Sequence, residues 1–196
     1  MNIEHNYYQW GPFLYKTKLS DKEIETTISF CIKDKKLDHR KNLAGHIDNE
    51  YLLNNENVFK ILLPYIKDYL KTRHQHTDIG FNGKIEIESS WVNYMKQGEF
   101  NPPHVHTGDL SCVLYLQIPK DMGKNIETHV ATSPAPGSIY FCYGESLKGN
   151  ICGHTFFPKE GEFFIFPSWL HHYVYPFKSD GERVSLSANF NLIEEK

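Results

Sequence analysis

The histidines at positions 104, 106 and 172 have the spacing to hold a metal ion. One residue separates His104 from His106, and on an extended backbone such residues face the same side, so both imidazoles can point into one cavity. A close imidazole pair and one distant imidazole can bind a divalent transition metal and leave coordination positions open. A pair of surface histidines after a turn at Pro102-Pro103 is the alternative interpretation.

Arg183 follows the third histidine and is a candidate anion-binding residue. A guanidinium on a strand near a metal can grip a dicarboxylate through two parallel charged hydrogen bonds. The alternative is an ion pair at the surface. Adjacent residues of a strand face opposite sides, so only one of His171 and His172 can join a site that contains this arginine.

Short runs with the pattern of β-strands carry these residues. The runs are separated by Gly and Pro, including Pro102-Pro103 and Gly181. In one run, Cys112, Leu114 and Leu116 are expected on one face, with Val113 and Tyr115 on the other. We predict strands at 84–92, 111–118, 138–142, 162–166, 173–175 and 182–192.

The first 75 residues have a mostly helical pattern. Ser20 and Glu23 form a capping box, which predicts that a helix begins after Ser20. A second helix is predicted over 55–72, and Pro64 predicts a kink or a break in it. The apolar residues expected to pack into the core are Ile24, Ile28, Cys31 and Ile32 in the first helix, and Val58, Ile61, Leu62, Tyr65, Ile66 and Tyr69 in the second.

Composition suits one globular domain. The chain has 196 residues, of which 40% are hydrophobic, and its net charge is −3. A nucleic-acid partner is therefore not expected, and no apolar stretch is long enough for a membrane span. Residues 1–15 lack the apolar run of a secretory signal, so we expect a cytoplasmic protein. No C-x-x-C pair indicates a structural zinc site, so the four cysteines are expected to be free thiols.

The motifs together resemble the 2-oxoglutarate and Fe(II)-dependent dioxygenases. The resemblance is to the prolyl-hydroxylase-like branch, and more closely to small microbial and phage oxygenases with an H-x-H motif. In the hypoxia-sensing prolyl hydroxylases, H-x-V-x-P begins with the metal histidine, which favours His172 over His171. The matching residues are Trp91 and Asn93; His104 and His106; Ser111, Tyr115 and Leu116; 166–170; 172–176; and Arg183, Ser185 and Ser187.

This resemblance implies a fold and a chemistry. The fold is mainly β with helices: a double-stranded β-helix, or jelly roll, in residues 81–196, supported by the mostly helical residues 1–80 as one domain. The cofactors are Fe(II) and the cosubstrate 2-oxoglutarate. Fe(II) would be held by His104, His106 and His172. Oxidative decarboxylation of 2-oxoglutarate with O2 would give succinate and carbon dioxide, together with a hydroxylated substrate.

Four residues are implied in cosubstrate binding. By the resemblance, Arg183 pairs with the distal carboxylate of 2-oxoglutarate, Ser185 donates a hydrogen bond to it, and Tyr115 also reaches it. A core aromatic is the alternative for Tyr115. Asn93 is a candidate for binding cosubstrate or substrate, and a role at a turn or strand end is an equal alternative. Five aromatic residues are candidates for the pocket wall or the core: Trp91, Tyr94, Phe100, Trp169 and Tyr173.

The chain departs from the family at His106, where most members carry a carboxylate. A third imidazole makes the site poorer by one negative charge and should alter its metal preference. One alternative function is therefore a three-histidine cupin-type dioxygenase that does not use 2-oxoglutarate. Another is a non-catalytic metal- or ligand-binding module on the same fold.

The primary substrate cannot be named from these motifs. A peptidyl amino acid, a free amino acid and a small metabolite are all open. The oligomeric state is open too, with a homodimer as one option.

Overall fold

Two antiparallel sheets and three α-helices make up most of the regular structure in residues 11–134 and 136–195, which the computed structural model describes. The helices are α1 (Asp21–Phe30), α2 (Asn55–Thr77) and α3 (Met122–Glu127), with short 3-10 turns at Lys35–Leu37 and Arg40–Asn42. The strands are β1 (Tyr15–Lys18), β2 (Glu50–Leu52), β3 (Gly83–Met95), β4 (Asn101–His104), β5 (Leu110–Gln117), β6 (Ile139–Cys142), β7 (Gly153–Phe156), β8 (Glu162–Pro167), β9 (His171–Val174) and β10 (Arg183–Glu194).

The larger sheet has six strands in the order β1-β8-β5-β10-β3-β2, and the smaller has four in the order β4-β9-β6-β7. β10 is central in the larger sheet because it pairs with both β3 and β5. Residues 184–190 of β10 therefore have a defined neighbour on each side, whereas Arg183 is paired only with Met95 of β3. This register places the side chains of the candidate site.

Two apolar clusters flank the larger sheet. One lies between this sheet and the helices, and the other lies between the two sheets. β5 contributes to both: Cys112, Leu114 and Leu116 belong to the helix side, and Val113 and Tyr115 belong to the side facing the smaller sheet. The predicted division of this strand between two faces is confirmed.

The capping box of α1 is present as predicted. The backbone N–H of Glu23 donates to Ser20 Oγ at 3.3 Å, and the backbone N–H of Ser20 donates to Glu23 Oε2 at 2.9 Å. The predicted apolar stripe is wrong in part, because Ile28 and Ile32 are 47% and 53% exposed. α1 turns only the side bearing Ile24 and Thr27 toward the core.

α2 is longer than predicted and continues through Pro64. The predicted break is absent because Leu62 and Ile66, on either side of the proline, are buried against the sheet. Packing of this face outweighs the backbone hydrogen bond that proline cannot donate. The helix ends at Asp78, whose φ of 58° is left-handed.

Two further predictions need correction. The N-terminal segment is not only helical: it supplies β1 and β2, the two edge strands of the larger sheet. Pro102-Pro103 does not separate strands but lies inside β4, an edge strand of the smaller sheet. Proline is tolerated there because an edge strand has backbone groups without a ladder partner. Within the described residues, no helix is long and apolar enough to cross a lipid bilayer.

The two isoleucines of α1 provide a matched test of which helix face is buried. We expect Ile24→Ala to lower the free energy of unfolding by about 2 kcal/mol or more, since Ile24 lies in the core. The same change at exposed Ile28 should stay within about 0.5 kcal/mol. Urea unfolding followed by circular dichroism measures both. Equal losses would contradict the placement of α1.

Candidate active site

The two sheets bring three histidines together at one end of the smaller sheet. His104, the last residue of β4, lies directly opposite His172 of β9. His106 follows two residues later, and its backbone N–H donates to the carbonyl of Ser168 at 2.9 Å. This bond holds the chain after β4 against the turn that precedes β9, so the third imidazole is turned toward the other two.

The imidazoles converge closely enough to share one ion. One nitrogen from each histidine lies within 4.8 Å of those of the other two, and His106 Nε2 is 3.1 Å from His172 Nε2. Two nitrogens that bind one ion at right angles, each at about 2.1 Å, are about 3.0 Å apart. The spacing therefore fits the chemistry of a first-row metal with imidazole ligands.

Backbone carbonyls set the tautomers of two of these rings. His104 Nδ1 lies 2.7 Å from the carbonyl oxygen of Pro102, and His172 Nδ1 lies 2.9 Å from that of Leu170. A carbonyl only accepts, so each Nδ1 carries the proton. Nε2 of each ring is left with a free lone pair, as a metal ligand needs.

Burial keeps the three rings neutral. Loss of water contact lowers the pKa of His106 to about 3, and it lowers that of His104 in the same direction. The pKa of His172 falls well below its usual value, mainly through burial and further through the neighbouring imidazoles. Neutral imidazole is the metal-binding form, so the site does not have to lose protons to receive an ion at neutral pH.

Other histidines and an acidic residue of the same region lie outside the group of three histidines. His171 is exposed on the opposite side of β9 from His172. Asp109 is engaged in the fold, since its Oδ2 accepts the backbone N–H of Leu192 at 2.7 Å. Among the described residues, the group that could hold a metal contains neither of these, nor His129 or His154.

Arg183 lies in the same cavity as the histidines and is only 2% exposed. Its Nη1 donates to the carbonyl of Gly137 at 3.1 Å, its Nη2 to the sulfur of Met95 at 2.8 Å, and its Nε has no partner. A thioether is a weak acceptor. No carboxylate among the described residues forms an ion pair with Arg183. The structure thus contains a buried cation with no anion beside it.

A row of polar side chains continues from this arginine across the larger sheet. Ser185, two residues along β10, lies opposite Asn93 of β3 and Tyr115 of β5. Asn93 Nδ2 donates to Ser185 Oγ at 3.4 Å, while Tyr115 Oη and Asn93 Oδ1 are buried without partners. Arg183 lies over the Tyr115 ring at 5.5 Å from its centroid. Unpaired buried polar atoms are costly, and a polar ligand could satisfy those of this row.

The cavity that contains these groups has a volume of about 180 Å³. The histidines line it together with Arg183 and the polar row. Of the five aromatic residues considered for its wall, only Trp91 lines it, with its ring centroid 5.6 Å from that of His106. Tyr94 packs in the core on the helix side, Phe100 packs between the sheets, and Trp169 is 51% exposed.

One cavity residue was not foreseen. Glu50 of β2 is 1% exposed and lines the cavity. In the sequence it stands in a polar stretch, His46 to Tyr51, and resembles a surface charge. Its burial arises from the pairing of β2 with β3, where it lies opposite Asn93. No local motif could have revealed it, because the contact depends on an edge strand that the sequence pattern did not indicate.

Comparison with known proteins assigns the family. Residues 89–189, more than half of the chain, match the family described as "Putative 2OG-Fe(II) oxygenase". The chain belongs to this family. It is therefore a 2-oxoglutarate-dependent non-haem iron oxygenase, as the sequence motifs indicated. No curated protein sequence matches the chain.

Solved structures share the fold of this oxygenase. The viral collagen prolyl hydroxylase of Paramecium bursaria Chlorella virus-1 has a TM-score of 0.59 and 16% identity, with 93% of this chain and 98% of that chain covered. A prolyl-4-hydroxylase of Pseudomonas putida has a TM-score of 0.58 and 17% identity, with 92% of each chain covered. At such identities the likeness establishes the fold alone. The predicted jelly-roll core with helical support is confirmed.

The third imidazole gives a direct test of the metal site. If His106 is a ligand, His106→Ala should weaken Fe(II) binding at least about tenfold, since loss of even an outer partner commonly costs about 10- to 100-fold. His106→Asp, which restores a carboxylate, should bind more iron than His106→Ala. Anaerobic iron titration measures all three proteins, with His171→Ala as the exposed neighbouring control. Equal iron affinity in the wild type and His106→Ala would show that His106 is not a ligand.

The buried imidazoles also predict how stability depends on pH. The pKa values of these imidazoles are lowered in the folded protein. Below about pH 6.5 the unfolded chain therefore binds protons that the folded protein does not bind. The free energy of unfolding falls as the pH is lowered through this range. For His106 this loss continues down to about pH 3. Between pH 7 and 5.5 the burial of His106 should cost about 1 kcal/mol of stability. The measurement is urea unfolding of the metal-free protein at both pH values. From pH 7 to pH 5.5, the free energy of unfolding of His106→Asn should therefore fall by about 1 kcal/mol less than that of the wild type. Identical losses would contradict the burial of a neutral ring.

Proposed function

We propose that this oxygenase hydroxylates a small substrate with His104, His106 and His172 as the ligands of Fe(II). The main support for the proposal is that one cavity contains both the three converging imidazoles and the guanidinium of Arg183, which has no anion beside it. A metal and a buried cation in one pocket suit a ligand that chelates with one end and carries a negative charge at the other. 2-Oxoglutarate has this form.

Arg183 would hold the distal carboxylate of 2-oxoglutarate. Its unpaired Nε is a donor, and Nη2 can leave the weak acceptor Met95 for a carboxylate oxygen. Tyr115 Oη is a second donor without a partner, and Ser185 Oγ lies in the same row. Asn93, which contacts Ser185, would orient that hydroxyl or reach the cosubstrate itself. The residues present therefore fit the cosubstrate.

Bound Fe(II) and 2-oxoglutarate supply the oxidising chemistry: with O2 they give succinate, carbon dioxide and a hydroxylated substrate carbon. The chain contributes orientation and exclusion of water. Apolar side chains line the cavity between the polar groups, including Val113, Ile139, Phe166 and Val174. They keep the site dry, which strengthens every charged contact inside it.

The position of Arg183 favours this function over the three-histidine cupin alternative. A buried guanidinium in the metal cavity is what the distal carboxylate of 2-oxoglutarate needs. Arg183 is buried there and not directed to solvent. The H-x-H motif is then a variant ligand set within the 2-oxoglutarate enzymes, with an imidazole in place of the usual carboxylate.

The chain would act as one functional unit in a reducing compartment. Five residues of the N-terminal segment line the same cavity as the histidines: Asn42, Leu43, Ala44, Ile47 and Glu50. The N-terminal support and the β core would therefore work together as one domain. The four cysteines are free. Free thiols suit the cytoplasm, which is the location we propose.

Substitution of Arg183 tests the cosubstrate assignment. Removing one partner of a buried charge pair commonly costs about 3–5 kcal/mol, so 2-oxoglutarate affinity should fall roughly a hundredfold or more in Arg183→Ala. Arg183→Lys should be intermediate, because lysine offers a point charge in place of two parallel donors. Anaerobic calorimetry on the iron-loaded proteins measures this affinity, and iron content should barely change. If Arg183→Ala binds 2-oxoglutarate as tightly as the wild type does, Arg183 does not bind the cosubstrate, and the three-histidine cupin function is favoured.

A further inference from the structure

The cavity contains a second buried charge that the proposed chemistry does not use. Glu50 is 1% exposed, and its Oε2 has no hydrogen-bond partner. Among the described residues it forms no ion pair. The nearby guanidinium of Arg40 is already engaged, since its Nε and Nη2 donate to both carboxylate oxygens of Asp38. Arg40 is therefore not the partner that Glu50 lacks.

A carboxylate without a partner is expensive to bury. Burial raises the pKa of Glu50 to about 7, with a smaller contribution from the negative charge of Glu99. Glu50 is also the one acidic side chain among the described residues that line the cavity. Since the anionic cosubstrate belongs with the metal and Arg183, a free carboxyl group here has no role toward 2-oxoglutarate. It suits a ligand group of the opposite charge.

Asn101 adds a second acceptor beside Glu50. Both side chains lie against Gly45: a Cβ at this glycine would come within 2.8 Å of Asn101 Oδ1 and within 2.9 Å of Glu50 Oε1. Asn101 belongs to β4, the strand that carries His104, and it also lines the cavity. Two oxygen acceptors, both from residues that line the histidine cavity, thus converge where residue 45 has no side chain. A group with several N–H donors would satisfy both.

We propose that Glu50 and Asn101 bind a positively charged amine of the primary substrate, which is a small aliphatic amine or a free amino acid. The inference rests on the proposed function, because the oxidised carbon would lie at the metal. An ammonium has three donors and no acceptor, which matches the two oxygen acceptors, Glu50 Oε1 and Asn101 Oδ1. The depth of Glu50 admits only a slender group, so a small molecule fits better than a folded protein.

The size of the cavity supports a small substrate. At about 180 Å³ it is below the range of about 300–1,000 Å³ that is usual for drug-sized ligands. The presence of His106 in place of a carboxylate also supports an amine-binding role for Glu50. The site lacks the carboxylate ligand that most relatives have, so an incoming cation would meet the metal and Arg183 with no negative side chain other than Glu50.

Matched pairs of small molecules test the proposal. The probes are free L-amino acids with their 2-hydroxy acid counterparts, and short primary amines with the alcohols of the same length. Their dissociation constants are measured by ligand-observed NMR on anaerobic protein loaded with Fe(II) and 2-oxoglutarate. At least one amine should bind the wild type ten times more tightly than its hydroxyl counterpart. This preference should disappear in Glu50→Gln, which keeps the shape and removes the charge.

Two further variants sharpen the result. Gly45→Ala adds a methyl group between the acceptors and should also weaken the amine, without any change of charge. Glu99→Gln is the control, because it removes a nearby carboxylate that does not line the cavity. It should keep the amine preference. An amine preference that survives in Glu50→Gln, or that is absent from the wild type, would overturn the proposal.

The same samples separate this proposal from the proposed function. If the wild type does not bind 2-oxoglutarate, the proposed function fails. If it binds 2-oxoglutarate but shows no amine preference, only the role of Glu50 and Asn101 fails. If Glu50→Gln loses iron or 2-oxoglutarate affinity along with the amine, Glu50 balances the charge of the metal site, and the amine site is wrong.

The pH dependence of amine binding provides an independent readout. Amine binding needs the ionised carboxylate, whose pKa of about 7 reflects burial and the charges of Glu99, Arg40 and Asp38 around it. Affinity for the amine should therefore rise about tenfold between pH 6 and pH 8. In Glu50→Gln this rise should be absent. An equal rise in both proteins would contradict the role of Glu50.

Discussion

The burial of Arg183 without a counter-ion is the constraint on which the cavity depends. A guanidinium remains charged inside a protein, and its burial is tolerated only if other groups or a ligand compensate for the lost water. The fold supplies a carbonyl and a thioether, and it leaves Nε unpaired. The arginine is held in place because it pairs with Met95 of β3, and because β10 is paired on both sides from the next residue onward. The central strand thus presents a fixed cation that an anionic ligand can neutralise.

The metal site depends on a different pairing. β4 and β9 place His104 opposite His172, and the carbonyls of Pro102 and Leu170 fix the protons of these two rings. The two sheets face each other across an apolar layer, so the three histidines and Arg183 open into one cavity. Burial then acts on both ends: it keeps the imidazoles neutral and leaves the guanidinium without water.

Much of this arrangement could be predicted from the sequence because it follows from local spacing. The alternation around Val105 and the strand pattern at 182–192 are visible along the chain, and the family motifs cover the same region. What could not be predicted depends on contacts between distant segments. Ile28 has the spacing of a core residue, but α1 turns it to solvent. Glu50 looks like a surface charge until β2 pairs with β3, and Pro102-Pro103 resembles a turn until β4 takes the edge of a sheet.

One cavity would bind Fe(II) and 2-oxoglutarate together, with an imidazole in place of the usual carboxylate ligand. The most direct test is an anaerobic titration of the protein with Fe(II) and then with 2-oxoglutarate, followed by visible absorption. We expect a metal-to-ligand charge-transfer band that appears only when both are present and saturates at one of each per chain. Protein that binds Fe(II) but gives no such band with 2-oxoglutarate would contradict this expectation.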